Sequence, residues 1–267
     1  MTSDATDTPW AAARNERGSS FGAVAADYAA WRPGYPAEAV AFLVAGGNGA
    51  AEPRRILDLG AGSGQLSEPL LAAGHDVVAA DTSADMLALL SARLPGVPTL
   101  VARAEELPLP DADVDLVVAG QAAHWFDPAA AGREFRRVLR PGGAVGFVWN
   151  VQLDSEPWTA ELGRLLAEHA RDQLGNTPEG NRAVADAFAA SLGAEVATRR
   201  TSWVHRVPPE AVVGRVASSS RVAMLDDAGR DAYLGQVRDL LDTHPDTRGR
   251  EQLDVAYVTD AFRLTLR

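Results

Sequence analysis

From Arg54 to Asn150, short apolar runs alternate with stretches in which apolar residues recur at helical spacing. The strands predicted from the runs are Arg54–Leu59, Asp76–Ala80, Thr99–Ala102, Val114–Ala119 and Ala144–Trp149. The helices predicted between them are Gln65–Ala73, Ala84–Leu94 and Ala129–Leu139, followed by a helix-ending turn at Arg140-Pro141-Gly142-Gly143. Strands that are apolar throughout and separated by helices indicate a parallel sheet with helices on both faces.

The segments on either side of this region follow a different pattern. Before it, helices are predicted over Phe21–Trp31 and Ala37–Ala45, with the breaker Arg32-Pro33-Gly34-Tyr35-Pro36 between them. After it, helices are predicted over Trp158–Leu174, shortly before Gly193 and within Glu210–Leu241, with strands at Thr198–Val207 and Ala256–Leu266. The fold class predicted is therefore α/β, with a doubly wound, seven-stranded, mostly parallel sheet.

Length and composition indicate the class of protein and its expected location. The chain has 267 residues, and 46% of them are hydrophobic, which is enough for a large core. Its apolar runs are shorter than the ~18 residues of a membrane helix, and the N-terminal residues lack the basic and apolar regions of a signal peptide. We therefore expect a soluble, cytoplasmic protein without a membrane partner.

Charge and residue usage exclude several chemistries. Acidic residues outnumber basic ones by 36 to 25, so the net charge is −11, which argues against nucleic acid as a partner. The chain contains neither cysteine nor lysine. This rules out disulfides, Cys-ligated zinc, thiolate nucleophiles, Schiff-base lysines and a P-loop lysine. No metal site is predicted.

A glycine loop follows the first predicted strand. Gly60, Gly62 and Gly64 alternate with small residues, so that the backbone turns tightly and a ligand can lie against it. About 20 residues further on, the second strand ends at Asp81, where an acid can bind the hydroxyls of a ribose. Another acid, Asp58, stands two residues before the first glycine. This combination predicts a nucleoside cofactor at the carboxyl ends of the strands.

The details of the loop favour one cofactor. It reads G-x-G-x-G followed by Gln65, whereas the dinucleotide fingerprint has its third glycine at that position. The Asp58 carboxylate would repel a pyrophosphate but would pair with a cationic amino group. S-adenosylmethionine (SAM) fits because its tail is an amino acid and its sulfur is positive. The alternative is a generic turn whose glycines only permit close packing.

Two further segments support a family resemblance. Arg103 to Leu109 reads "RAEELPL", and Phe135 to Gly143 reads "FRRVLRPGG". With the glycine loop, they make the region 56–150 resemble the class I SAM-dependent methyltransferases, in particular the small-molecule group with a D-x-G-x-G-x-G loop. The resemblance implies a Rossmann-like fold, SAM as methyl donor and S-adenosylhomocysteine as product.

The N-terminal pattern Phe21…Tyr28…Arg32-Pro33-Gly34-Tyr35-Pro36, together with "HWFD" after the fourth strand, is similar to the trans-aconitate-type branch of this group. Residues 1–20 are small and polar and are predicted to be a flexible arm. By the resemblance, residues 21–50 are lid helices, 51–150 the SAM-binding core and 151–267 a part that completes the sheet and shapes the acceptor pocket. Arg103 departs from the pattern, because the family often has an acid there for the adenine amino group. Backbone at Ala104 or Glu105 is therefore the expected adenine contact.

Loop, acids and resemblance together imply a set of cofactor-binding residues. They are Tyr28, Arg32, Asp58, Gly60, Ala61, Gly62, Gly64, Gln65, Asp81, Thr82, Met86, Ala104, Glu105, Gln121 and Ala122. Some have structural alternatives. Asp58 and Asp81 could cap neighbouring helices, although Thr82 or Ser83 is better placed for the second cap. Glu105 and Arg32 could be solvated charges, and Tyr28 a core contact.

The acceptor pocket is predicted around "QAAHWFD", which begins at Gln121 and follows the fourth strand. The acceptor-binding candidates are His124, Trp125, Phe126 and Trp149, and His124 is the catalytic candidate. A proton-transfer role for His124 is the less favoured interpretation, because in this fold a residue at this position more often contacts the substrate than transfers a proton. Arginines that would suit a carboxylate are Arg199, Arg200, Arg206, Arg215 and Arg221. The other histidines, His75, His169, His205 and His244, are expected to be structural.

The predicted function is methyl transfer from SAM to a small-molecule carboxylate, hydroxyl, amine or activated carbon. Three alternatives stay open: a non-methylating SAM-binding member of the fold that catalyses a rearrangement or cyclisation, an NAD(P)-dependent oxidoreductase, and a regulatory binding module. Gln65 and the absence of a Tyr-x-x-x-Lys pair disfavour the oxidoreductase. The expected partner is the small acceptor, and the chain is expected to be a monomer or a homodimer.

Overall fold

The computed structural model describes residues 31–45, 53–168, 177–219, 222 and 225–266. The predicted arm, Tyr28, most of the first lid helix, His169 and Arg221 lie outside the described residues. The helices are α1 (Ala37–Val44), α2 (Ser67–Ala72), α3 (Ala84–Arg93), α4 (Pro128–Val138), α5 (Pro157–Glu168), α6 (Pro178–Leu192), α7 (Pro209–Ala217) and α8 (Asp227–Thr243). The strands are β1 (Arg55–Leu59), β2 (Asp76–Asp81), β3 (Thr99–Val101), β4 (Val114–Gly120), β5 (Leu139–Gln152), β6 (Ala194–Val207) and β7 (Leu253–Leu266).

The strands form one seven-stranded sheet in the order β3-β2-β1-β4-β5-β7-β6. Strands β1 to β5 are parallel, and β7 runs antiparallel to both of its neighbours. The predicted α/β class and the seven-stranded, mostly parallel sheet are confirmed. Because the strand order reverses between β1 and β4, the carboxyl ends of these two strands border a crevice in which ligands of such sheets bind.

The fifth strand differs from its prediction. It begins at Leu139, which pairs with Val114, and its regular pairing resumes where Ala144 meets Leu116. Residues 140–143, predicted as a helix-ending turn, are therefore an irregular excursion within the strand. Gly142 has a φ of +81° there.

Helix α6 is longer than the short helix predicted in this region. Thr177 accepts a hydrogen bond from the Gly180 N–H as N-cap, Pro178 follows at the first helical position, and Gly193 ends the helix in the left-handed conformation. These three signals lie at the ends of the helix. They fix its length at 15 residues, from Pro178 to Leu192.

The sheet is buried on both faces, which explains the uninterrupted apolar runs. On one face, Val117 and Phe147 pack with Phe135 of α4 and Phe188 of α6. On the opposite face, Leu116, Val118 and Val148 pack with Leu43 of α1 and Leu70 of α2. We call these the α4/α6 face and the α1/α2 face. Successive residues of β4 alternate between them, so each residue's face can be read from its position in the strand.

The C-terminal part adds a second apolar cluster. Trp158 and Leu162 of α5, Val212 of α7 and Val237 of α8 pack against Val255 of β7. This cluster continues the α1/α2 face beyond the parallel strands, because Val255 and Tyr257 have the same parity along β7 as Thr259, which is hydrogen-bonded to Asn150. No helix in the described ranges is long and apolar enough to cross a membrane.

Candidate functional site

The glycine loop leaves β1 at the carboxyl edge of the sheet. Gly60, Gly62 and Gly64 have φ angles of +69°, +55° and +90°, which favour glycine. The Gly60 and Ala61 N–H groups donate to the carbonyl of Ala80 at 2.8 and 3.0 Å, which ties the loop to β2. A Cβ on Gly60 would stand 2.5 Å from the Cβ of Ala122. The first glycine is therefore required by the close approach of the segment after β4.

Asp58 lies at the floor of the site with its side chain fully buried. Its Oδ2 accepts a hydrogen bond from the Ser67 hydroxyl at 2.6 Å. Among the described residues, its Oδ1 has no hydrogen-bond partner. Burial raises the pKa of Asp58 to about 7, while the bond from Ser67 opposes the shift and the nearby charge of Asp81 adds to it. A buried carboxylate with one unpartnered oxygen is suited to receive a cation.

Asp81 ends β2 and holds the glycine loop. Its Oδ2 accepts from the Gly62 N–H at 2.9 Å, and its Oδ1 accepts from the Ser83 N–H at 2.9 Å. Burial raises its pKa, and these backbone hydrogen bonds oppose the shift. Ser83 is the N-cap of α3 and accepts from the Met86 N–H. Asp81 is therefore not the helix cap that was its structural alternative.

A cavity of about 310 Å³ opens beside Asp58 and the loop. This volume lies at the small end of the range for ligand sites. The predicted cofactor residues that line it are Arg32, Asp58, Gly60, Ala61, Gly62, Gln65 and Gln121. Residues from other parts of the chain complete the wall. They are Pro33, Tyr35, Leu66, Gly120, Asn150, Gln152, Leu166, Arg215, Val216, Ser219 and Tyr257.

Asn150 is the most connected of the wall residues that the sequence analysis missed. Its amide Nδ2 donates to the Gly34 carbonyl at 2.9 Å, and its Oδ1 accepts from the Thr259 hydroxyl at 2.6 Å. Thr259 in turn accepts from the Trp203 indole N–H at 2.8 Å. Alternation along β5 could have identified Asn150, because it shares its face with Val148.

Gln121 has a φ of +56°, which is uncommon for a residue other than glycine. Its N–H donates to the Val148 carbonyl at 2.9 Å, and its side-chain Nε2 donates to the Asn150 carbonyl at 2.9 Å. Backbone strain of this kind persists where surrounding contacts hold it, and it concentrates at functional sites. Gln121 joins the ends of β4 and β5 at the cavity.

The segment that begins at Arg32 closes the cavity from the N-terminal side. An Arg32 Nη2 donates to the Ser218 carbonyl at the end of α7, at 3.3 Å. Tyr35 packs against Gly120 so closely that a Cβ there would stand 2.5 Å from the tyrosine hydroxyl. The predicted breaker is therefore a strap that connects α7 with the end of β4.

The remaining predicted cofactor residues lie outside this cavity, apart from Tyr28, which is not described. Gly64 packs against Leu90 and Leu94, and Met86, Ala104 and Ala122 are buried. Thr82 is exposed. Glu105 accepts a hydrogen bond from the Asp127 N–H at 2.9 Å and is ion-paired with Arg103 at 3.4 Å.

The "HWFD" segment forms a short 3₁₀ helix and the cap of α4. Asp127 accepts hydrogen bonds from the Ala129 and Ala130 N–H groups, so the acid that ends this motif is an N-cap. His124 Nδ1 accepts from the Trp149 indole N–H at 3.3 Å. The Phe126 ring lies 3.6 Å from where a Cβ of Gly60 would stand, and borders the glycine loop.

Trp149 does not face the cavity, which corrects its assignment to the acceptor pocket. Its side chain is fully buried on the α4/α6 face, with ring centroids 5.9 Å from Phe147 and 5.8 Å from Phe262. The physical reason is the alternation of β5, which turns Asn150 to the cavity and Trp149 away from it. His124, Trp125 and Phe126 also do not line the cavity.

Of the four candidate arginines that the structure describes, Arg215 is the one that lines the cavity. Arg200 and Arg206 pair with Asp260 and Asp254, while Arg199 stacks over the Phe42 ring at 5.6 Å. The described histidines outside the motif have structural surroundings, as predicted. The ring nitrogens of His75 and His244 accept hydrogen bonds from backbone N–H groups, and His205 stacks near Trp203. No group of three or more metal-ligating side chains occurs within the described ranges.

Comparison with known proteins identifies relatives of one kind. The family model of a methyltransferase domain matches residues 57–147. A protein named as an uncharacterized methyltransferase of Mycobacterium tuberculosis is 39% identical over 253 residues, covering 95% of this chain and 98% of that protein. The malonyl-[acyl-carrier protein] O-methyltransferase of Methylococcus capsulatus is 42% identical over 101 residues, 36% of this chain and 37% of that protein.

A solved structure agrees with these matches. A chain described as a type II methyltransferase from Anaeromyxobacter dehalogenans superimposes with a TM-score of 0.63 and 27% sequence identity. The match covers 88% of this chain and 97% of that one. None of these comparisons supports the oxidoreductase alternative.

Proposed function

Since the chain belongs to the class I SAM-dependent methyltransferase family, we propose that it transfers a methyl group from SAM to a small-molecule acceptor. The observation that carries the proposal is the unpartnered Oδ1 of Asp58 at the floor of the cavity. The methionine tail of SAM ends in an ammonium group. That group would supply the hydrogen bond and the opposite charge that the buried carboxylate lacks.

The other polar groups of the cavity fit the rest of the methionine tail. We assign the methionine carboxylate to Arg32, whose guanidinium is the cation in the strap over the cavity. Gly60, Ala61, Gly62 and Gln65 provide the backbone and amide surface between the two ends of the tail. Because glycine has no side chain, a ligand can lie directly on the loop.

The adenosine end of the cofactor is assigned to residues around the carboxyl ends of β2, β3 and β4. They are Asp81, Thr82, Met86, Ala104, Glu105, Gln121 and Ala122. Support comes from Asp81, whose carboxylate is fixed by Gly62 and Ser83 at the end of β2. A carboxylate with two backbone bonds keeps lone pairs for the hydroxyls of a ribose.

Bound SAM supplies an activated methyl group that leaves a positive sulfur in an in-line displacement. The chain's own part is positioning, which contributes most where two reactants must meet in one geometry. Gln121 and Asn150 fix the wall between β4 and β5, and the contact of Arg32 with Ser218 ties the strap to the end of α7.

His124, Trp125 and Phe126 are proposed as a wall next to the glycine loop, outside the cavity that Asp58 and Arg215 line. Because an indole N–H can only donate, the Nδ1 of His124 must be the acceptor of the bond from Trp149. In the neutral ring, the remaining nitrogen then carries the proton. This arrangement favours a wall or hydrogen-bond-donor role over that of a general base.

Calorimetric titration of the full chain with SAM and with S-adenosylhomocysteine tests the proposal. We expect both to bind, and we expect Asp58→Asn to weaken binding by about tenfold or more because it removes a charge-assisted hydrogen bond. Asp76→Asn is the matched control. Asp76 lies at the start of β2, at the edge of the sheet opposite the cavity, and forms a surface ion pair with Arg55. Absence of binding by either compound would refute the proposal.

A further inference from the structure

The cavity has two chemically different ends. Asp58 lies on β1 at the glycine-loop end, whereas Gln152 lies on β5 and Arg215 on α7 at the other. Two strand spacings separate β1 from β5 in the sheet, or roughly 10 Å. The proposed cofactor tail would occupy the acidic end. The guanidinium of Arg215 then faces the space left for the acceptor.

Arg215 has a neutral partner, although acids are in excess in this chain. It donates through Nη2 to the side-chain oxygen of Gln152. Within the described part of the chain, no carboxylate lies within ion-pair distance of Arg215. By contrast, Arg200 and Arg206 each make two bonds to one carboxylate, those of Asp260 and Asp254. An amide orients a guanidinium but leaves its charge uncompensated.

An aromatic group of β6 and β7 borders the cavity near Arg215. Tyr257 lines the cavity and stacks on Trp203, with ring centroids 5.2 Å apart. His205 lies beside both rings, and its pKa is lowered by burial and by the charge of Arg215. Arg215 is half-buried, so its guanidinium is less screened than at the surface and an anion binds it more strongly.

We propose that Arg215, oriented by Gln152, binds a carboxylate of a small acidic acceptor. The inference rests on the proposed function, because it places the acceptor next to a cofactor held at Asp58. Planar guanidinium and planar carboxylate groups match in two parallel hydrogen bonds, which fixes the direction of the acceptor as well as its place. A cavity of about 310 Å³ suits a compact acid.

The test is a titration of the full chain, saturated with S-adenosylhomocysteine, with a panel of succinate, glutarate, fumarate, benzoate and phenylacetate. The matching amides and inorganic phosphate are titrated in parallel. We expect at least one acid to bind and its amide to bind at least about tenfold more weakly. Arg215→Gln is expected to weaken binding of that acid by about tenfold or more.

A second variant tests the charge without removing the guanidinium. Gln152→Glu would place a carboxylate on Arg215 and should reduce acid binding as strongly as Arg215→Gln. Arg206→Gln, which removes an exposed arginine of β6, is the control and should leave acid binding unchanged. Affinity for S-adenosylhomocysteine should stay within about twofold in all three variants.

Three results would overturn the inference. They are a panel in which no acid binds, amides that bind as well as their acids, and acid binding that survives both Arg215→Gln and Gln152→Glu. Phosphate binding tighter than that of every acid would reassign the site to phosphate esters and also contradict it. Failure of S-adenosylhomocysteine itself to bind would instead contradict the proposed function, so the two failures are distinguishable.

Discussion

Trp149 and Asn150 are neighbours in β5, yet they belong to opposite regions of the molecule. Trp149 is buried on the α4/α6 face and donates its indole N–H to His124. Asn150 lines the cavity on the α1/α2 face and joins Thr259 to the strap at Gly34. On the Trp149 side, the indole N–H is paired with His124 and the rings of Phe147 and Phe262 pack around the indole. On the Asn150 side, and among the residues that the structure describes, Asp58 keeps an unpartnered oxygen and Arg215 lacks a carboxylate partner.

This difference indicates on which face of the sheet, at the carboxyl ends of the strands, a ligand is expected to bind. A motif with a histidine and two aromatic rings attracts attention in a sequence, but here its acid caps α4 and its histidine accepts the indole N–H of the buried Trp149. Buried polar groups left incomplete are the costly ones, and such groups persist where a ligand completes them. Asp58 is such a group, and it lines the cavity.

The largest expected effect comes from the point where the two regions meet. Gly60→Ala would bring a Cβ to 2.5 Å from the Cβ of Ala122, at a φ of +69°. Overpacking and left-handed strain together should lower the free energy of unfolding by about 3 kcal/mol. Urea denaturation followed by circular dichroism measures the loss.

Gly74→Ala is the matched control for that variant. Its φ is +86°, but an added Cβ would meet nothing within 4 Å, so strain alone should cost about 1 kcal/mol. Equal losses in the two variants would contradict a close approach of the glycine loop to the segment after β4.

A second prediction concerns pH and the cavity side. Binding of the cofactor's ammonium requires the ionised form of Asp58, whose pKa is raised to about 7. At pH 6 about a tenth of the carboxyl is ionised, so affinity for S-adenosylhomocysteine should fall roughly tenfold between pH 8 and pH 6. Titrations at several pH values should show this fall in the natural chain and its absence in Asp58→Asn.

Asp58 also makes the free energy of unfolding depend on pH, and the direction of this dependence follows from its raised pKa. Its pKa in the folded chain is raised above the value of about 3.9 in an unfolded one, so the folded state holds the proton more tightly. The contribution of Asp58 to stability is therefore lost as pH rises from about 4 through about 7, and it changes little above that. If the difference in unfolding free energy between Asp58→Asn and the natural chain did not change with pH, the pKa of Asp58 would not be raised in the folded chain.

The smallest effect is expected on the other face. His124→Asn keeps a side-chain oxygen that can accept the indole N–H of Trp149, so the free energy of unfolding should change by less than about 1 kcal/mol. Affinity for S-adenosylhomocysteine should stay within about twofold. A loss of more than about tenfold would mean that the His124 side belongs to the cofactor site, and the contrast between the faces would fail.

Local signals explain what could be predicted from the sequence. Each core strand is mainly apolar, and the caps Ser83 and Asp127 stand directly before their helices. The glycine loop and its two acids are also local, since their roles follow from spacing within about 25 residues. These features gave the sheet, its helices and the acidic end of the cavity.

The other end of the cavity depends on distant pairings. Arg215 and Gln152 are in contact although they are 63 positions apart in the chain, and Asn150 and Thr259 are 109 apart. No pattern within one segment predicts that β7 inserts between β5 and β6 or that α7 packs beside them. The error at Trp149 is different, because alternation along β5 already separates it from Asn150.

The position of β7 also sets the order in which a growing chain can build this site. Strand β6 is synthesised before β7, but within the sheet it pairs with β7 alone. Until residues 253–266 emerge, β6 has no neighbour and Asn150 lacks the hydroxyl of Thr259. A chain stalled before that point can hold its glycine loop and Asp58, but it has an unfinished wall and an exposed strand edge. During synthesis, the part of the enzyme that would select the acceptor is thus completed last.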